Sequence, residues 1–141
     1  MANLEQLEDY ESEIESREDQ VEEADEKLEA VNERLDNIEN AIGQLGDDQE
    51  VAGSLESNRE DAEQEKEQVE QEREELASEL DEMLGELDEM QEENENSAEV
   101  LSELASSGED VGDASQIVES RRSQIEQYKN RIQQMQNRLR S

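Results

Sequence analysis

Residues 7–45 read LEDYESEIESREDQVEEADEKLEAVNERLDNIENAIGQL. Within this stretch Leu7, Ile14, Val21, Leu28, Leu35 and Ile42 recur at every seventh position, and Tyr10, Arg17, Ala24, Val31, Ile38 and Leu45 follow them by three. Only Arg17 in the two columns is neither apolar nor aromatic. Such a repeat keeps one narrow seam of a helix turned toward a partner helix, so the stretch reads as a coiled-coil strand. At 1.5 Å per residue, a helix over about 3–45 would be roughly 60 Å long.

The residues beyond it say how the helix is partnered. Gly46 is a natural left-handed terminator, and Asp47 and Asp48 can cap a following helix. A turn as short as 46–48 forces the next helix back antiparallel to the first. Helix 2 is then expected over about 48–105. One column of its seam is Leu55, Ala62, Val69, Leu76, Met83, Met90, Ser97 and Leu104. The other is Ala52, Arg59, Lys66, Arg73, Leu80, Leu87, Asn94 and Leu101. Folding back at 46–48 sets Ile42 against Leu55, Leu35 against Ala62, Leu28 against Val69, Val21 against Leu76, Ile14 against Met83 and Leu7 against Met90. The same register brings Lys27 to Glu72 and Arg34 to Glu65. It also sets Asp25 near Glu70 and Glu13 near Glu86, which repel. Exposed pairs of this kind are worth at most about 1 kcal/mol each.

A break is expected at 106–113, around Gly108 and Gly112, with Asp113 and Gln116 spaced as a capping box. Helix 3 follows over about 114–140, with Val118, Ile125, Ile132 and Leu139 in one column and Arg121, Tyr128 and Met135 in the other. Turned back on helix 2, it is expected to set Val118 against Leu104, Ile125 against Ser97, Tyr128 against Asn94, Ile132 against Met90 and Leu139 against Met83.

The predicted fold is therefore all-α. An antiparallel coiled-coil hairpin of two long helices carries a third, shorter helix packed on its base as a three-helix bundle. The whole reads as one elongated domain, 1–141, from which a two-helix arm projects roughly 40 Å. An open arrangement, with helices 1 and 2 paired between chains, satisfies the same heptads; the short Gly-Asp turn favours the closed hairpin.

Composition agrees with helices and excludes much else. The chain has 141 residues, no Pro, Cys, His, Phe or Trp, and only 30% hydrophobic residues. That content is too low for a round core and would suggest disorder, but a helical seam needs only two apolar residues in seven. No apolar run approaches the roughly 18 residues of a membrane span, and no signal peptide stands at Met1, so a cytoplasmic protein is expected. The net charge is −33, from 45 acidic and 12 basic residues. Helix 3 runs the other way: Arg121, Arg122, Lys129, Arg131, Arg138 and Arg140 stand against Glu119 and Glu126. Direct binding to nucleic acid or to an anionic membrane is disfavoured by this charge. Few Lys beside many Arg in so acidic a chain also fits adaptation to a salty cytoplasm, although the absence of Thr fits it less well.

Chemistry is not encoded in a recognisable form. Without His or Cys there is no common nucleophile–base pair, no usual metal ligand set and no thiol. Paired carboxylates such as Glu22-Glu23 and Glu92-Glu93 occur at all spacings, as solvated helix faces do. No calcium loop or phosphate loop is present, and no cofactor is implied.

The expected function is that of a non-enzymatic structural or adaptor module that binds another protein or a second copy of itself. The alternative is an acidic helical chaperone, secretion-system partner or DNA-mimicking decoy that binds a basic protein. The residues expected to hold the helices together are Leu7, Ile14, Val21, Leu28, Val31, Leu35, Ile38 and Ile42 of helix 1. Leu55, Val69, Leu76, Leu80, Met83, Leu87, Met90, Leu101 and Leu104 act on helix 2, and Ile125, Tyr128, Ile132, Met135 and Leu139 on helix 3. Apolar residues outside the seam, among them Leu4, Leu84, Val100 and Ile117, would extend a docking face. Arg59, Lys66 and Arg73 occupy three successive seam positions. They read either as stems lying along the seam with heads on flanking Glu, or as a contact for an acidic partner.

Overall fold

The computed structural model describes residues 4–45 and 49–140. It is all-helical: a short 3-10 turn at Leu4–Gln6 leads into α1 (Leu7–Leu45), followed by α2 (Gln49–Ser106) and α3 (Ala114–Arg140). No strand occurs among the described residues. The turn expected at 46–48 lies outside them, and so do its capping residues Asp47 and Asp48.

The chain divides into two compact units. Residues 4–18 and 77–140 build a three-helix unit, and Asp19–Leu76 a two-helix unit.

In the two-helix unit α1 and α2 run antiparallel. Lys27 Nζ lies 3.7 Å from Glu72 Oε2, and Arg34 Nη1 lies 3.0 Å from Glu65 Oε2. Val21, Ala24, Val31 and Ile38 of α1 and Ala62, Val69 and Leu76 of α2 are buried in this unit. Leu28, Leu35, Ile42 and Leu55 are half-buried. A lone partner helix covers one side of the seam, so the outer column keeps part of its surface in water. Asp25, expected to lie near Glu70, accepts from the Arg73 guanidinium, and Arg73 is 8% exposed.

In the three-helix unit the seam closes. Ile14, Leu80, Leu87, Met90, Ile125 and Ile132 are all fully buried, and Leu7, Tyr10, Met83, Tyr128 and Met135 nearly so. The third helix supplies the wall that the other unit lacks. Both tyrosines sit in this core; the Tyr10 hydroxyl donates to Glu86, so the carboxylate expected to repel Glu13 has a hydrogen-bond partner. Arg17, the charged seam residue of α1, places Nη1 2.7 Å from Glu79.

The register of α3 differs from the expected one. Asn94 donates to the carbonyl of Val118, Arg122 bonds Glu95, Lys129 bonds Asp88, and Gln136 donates to Asp81. Val118 therefore lies beside Asn94 rather than Leu104, and α3 sits more than one helical turn nearer the start of α2. The cause is how tightly the chain turns. After Ser106 the chain closes in a Schellman arrangement: Gly108 N–H donates to Ala105 O at 3.1 Å, and Glu109 N–H to Leu104 O at 3.0 Å, with Gly108 at φ 86°. Gly112 N–H then bonds Asp110 Oδ1 at 2.9 Å, and Asp113 starts α3 by accepting Gln116 N–H on its carbonyl. Leu104, expected in the seam, is left 42% exposed.

Candidate interaction surface

Because α3 slides toward the start of α2, the last turns of α2 have less of α3 to pack on. Val100 and Leu101 of α2, with Ala114, Ile117 and Val118 of α3, line a groove of about 550 Å³. Val100 is 55% exposed and Ile117 50% exposed, unusual values for aliphatic side chains one beside the other. Ile117 is shared with a second groove, of about 380 Å³, whose other wall is Leu4 and Leu7. Arg121 lines both. Val100 and Ile117 thus border an opening, whereas Leu84 is half-buried.

The surroundings of the groove are acidic. Glu93 lies in its wall, and Glu92, Glu99 and Glu103 are exposed along one side of the Val100–Leu104 stripe. On the neighbouring face Arg122 bonds Glu95 and Glu119, and the hydrogen bond from Arg122 holds the Glu95 carboxyl below the usual range.

Among the basic seam residues of α2, the Arg73 guanidinium donates to Asp25 of the facing helix and is buried. Arg59 bonds Glu56 and Glu63 of its own helix, each at 3.4 Å, and Lys66 is half-buried. The remaining seam residues, Leu101 and Leu139, are half-buried.

Two polar residues of the core carry positions that periodicity alone does not reveal. Asn94, 1% exposed, donates from Nδ2 to Val118 O at 3.0 Å, while its Oδ1 accepts no hydrogen bond among the described residues. Gln136 is buried and donates to Asp81. The signal for Asn94 was its place in the seam column, where one buried amide selects a register.

No group of three or more carboxylates among the described residues is arranged to hold a metal ion, and none of their helices is long and apolar enough to cross a membrane. What the surface offers is apolar area with an acidic border. Comparison with protein-family models, with curated proteins and with solved structures gave no match for this chain.

Proposed function

We propose that this chain is a non-enzymatic helical module that binds another protein, and that the groove between α2 and α3 is its docking surface. The observation that supports the reading most is the exposure of Val100 and Ile117 side by side in a unit whose other aliphatic residues are largely buried. Aliphatic area left open at a helix–helix groove gains free energy when a partner covers it, about 25 cal/mol per Å² before association costs. The full chain, immobilised by a tag, should recover a stoichiometric partner from the lysate of its source, or scatter light as a multimer. Val100→Asp with Ile117→Asp should remove that association while leaving the helical signal intact. A strict monomer that recovers nothing would sink the reading.

A second reading, an acidic helical chaperone or secretion partner for a basic protein, is favoured by the net charge of −33 and by Glu92, Glu99 and Glu103 beside the groove. Its association would be steered by charge and would weaken steeply with added salt.

A further inference from the structure

We infer that the groove between α2 and α3 takes an amphipathic helix of a basic partner protein; this rests on the interaction-module reading and adds the chemistry of the partner.

The shape of the opening argues for a helix. Val100 and Leu101 of α2 line one wall, and Ala114, Ile117 and Val118, spaced three and four residues apart on α3, line the other, so small and medium aliphatic side chains run along one channel. A third helix packs into such a channel with an i, i+3, i+4, i+7 stripe of its own, the helix-in-groove mode of recognition. A groove of about 550 Å³ holds a few aliphatic side chains, not a folded domain.

The border argues for the charge. Glu92, Glu99 and Glu103 are exposed along the α2 side, and Glu109, Asp110 and Asp113 are exposed in the connection to α3. Against them, among the described residues that line the groove, stands one cation, Arg121. Lys or Arg on the flanks of an incoming helix would face this border from the edge of the apolar contact. A second copy would bring another −33 charges against the first, and an anionic lipid surface would repel the same carboxylates. A basic helix is the occupant that satisfies both the apolar floor and the acidic rim.

The test uses the full chain and three fluorescent peptides of about 18 residues, long enough to form several helical turns. The first carries Leu at i, i+3, i+4 and i+7 with Lys elsewhere. The second has the same composition with the Leu stripe scrambled, and the third has Glu in place of Lys. The stripe peptide should bind about tenfold or more tighter than the scrambled one. Val100→Ser with Ile117→Ser should weaken it by about tenfold, the size of two lost aliphatic contacts. Because both side chains are half exposed, the double variant keeps its fold, which its circular dichroism verifies. Glu99→Gln with Glu103→Gln should reduce the salt sensitivity of binding. Equal binding of the scrambled peptide, equal binding of the Glu peptide, or no effect of the double variant would each overturn the inference. Self-association abolished by Val100→Ser with Ile117→Ser would overturn the basic partner yet leave the interaction module standing. A strict monomer that binds none of the three peptides would overturn both.

Discussion

Asn94 donates to the carbonyl of Val118 across 3.0 Å inside the three-helix core. That one amide ties α3 to α2 in a register more than a turn away from the one that simple loop counting gives. It sits where a Leu would bury more apolar area, and its Oδ1 has no donor among the described residues. A buried polar group of this kind lowers stability and raises specificity.

Asn94→Leu should therefore raise stability by about 1–2 kcal/mol, since it removes an unsatisfied buried acceptor and adds apolar contact. The same change should loosen the register. Urea unfolding measures the first effect. Disulfide trapping between cysteines placed at Glu95 and Arg122, residues now in direct contact, measures the second: trapping should be fast with Asn94 and slower with Leu. A fall in the unfolding midpoint would show instead that the bond to Val118 outweighs the orphaned oxygen.

Arg73 and Asp25 make the opposite case, a buried cation whose partner is supplied by the facing helix. Arg73→Ala strips the guanidinium from Asp25 and opens space in the seam, and should cost about 2–3 kcal/mol. Arg73→Met keeps the volume and should cost less. Arg34→Ala, at a pair whose side chains are both about half exposed, should cost at most about 1 kcal/mol. Thermal unfolding of the three variants ranks them, and similar losses for Arg73→Ala and Arg34→Ala would contradict the difference in burial.

The contrast between these residues shows what the sequence made legible. A seam of aliphatic residues at every seventh place implies helices, their number and the antiparallel fold-back, because only a helix brings those positions to one face. It also brings Lys27 to Glu72 and Arg34 to Glu65, since flank positions follow once the seam is set. The sliding of α3 was not legible. A heptad pattern tolerates a shift along the partner helix, and the shift is decided by Gly108 and the hydrogen bonds of the connection, which depend on backbone geometry. The groove is a consequence of that shift. Leu104 reads as a seam residue in one register and is an open edge in the other.

Two glycines separate backbone strain from helix propensity. Gly108 holds φ 86° in the turn that ends α2, whereas Gly85 lies within α2 with nothing within 4 Å of an added Cβ. Gly108→Ala should destabilise by about 1–2 kcal/mol, because an L side chain is strained in the left-handed region. Gly85→Ala should stabilise by about 0.5–1 kcal/mol through the unfolded chain and helix propensity. Chemical denaturation of the pair should move the midpoints in opposite directions, and a shift of both in the same direction would contradict the assigned backbone roles.

Alkaline titration addresses the three-helix core. Burial, then the charges of Glu11 and Glu8, raise the Tyr128 hydroxyl above its ordinary range, with Arg131 acting in the other direction. A group that prefers its proton in the folded state stabilises the fold below its unfolded pKa, and that contribution is lost as pH rises through the folded value. The protein should thus lose stability above pH about 10. Tyrosinate absorbance should show a late phase, and Tyr128→Phe should reduce that phase and flatten the alkaline loss. A Tyr128 that titrates with an exposed tyrosine would contradict its place in the core.

Salt should stabilise the whole molecule. Forty-five acidic residues against twelve basic ones leave carboxylates facing one another along both long helices, and that repulsion is long-ranged and mostly exposed. The ion pairs work the other way, since screening weakens them, but most are exposed and worth at most about 1 kcal/mol each. At low ionic strength the Debye length reaches about 30 Å, so many like charges interact at once; at 1 M it is about 3 Å and only near neighbours do. Relief of repulsion therefore wins, and the thermal midpoint should climb with added salt and then level off once the screening length falls below the spacing of charges along a helix. An uncharged osmolyte at matched water activity separates screening from general exclusion, and a midpoint that fell on adding salt would show that the ion pairs, rather than the net charge, dominate.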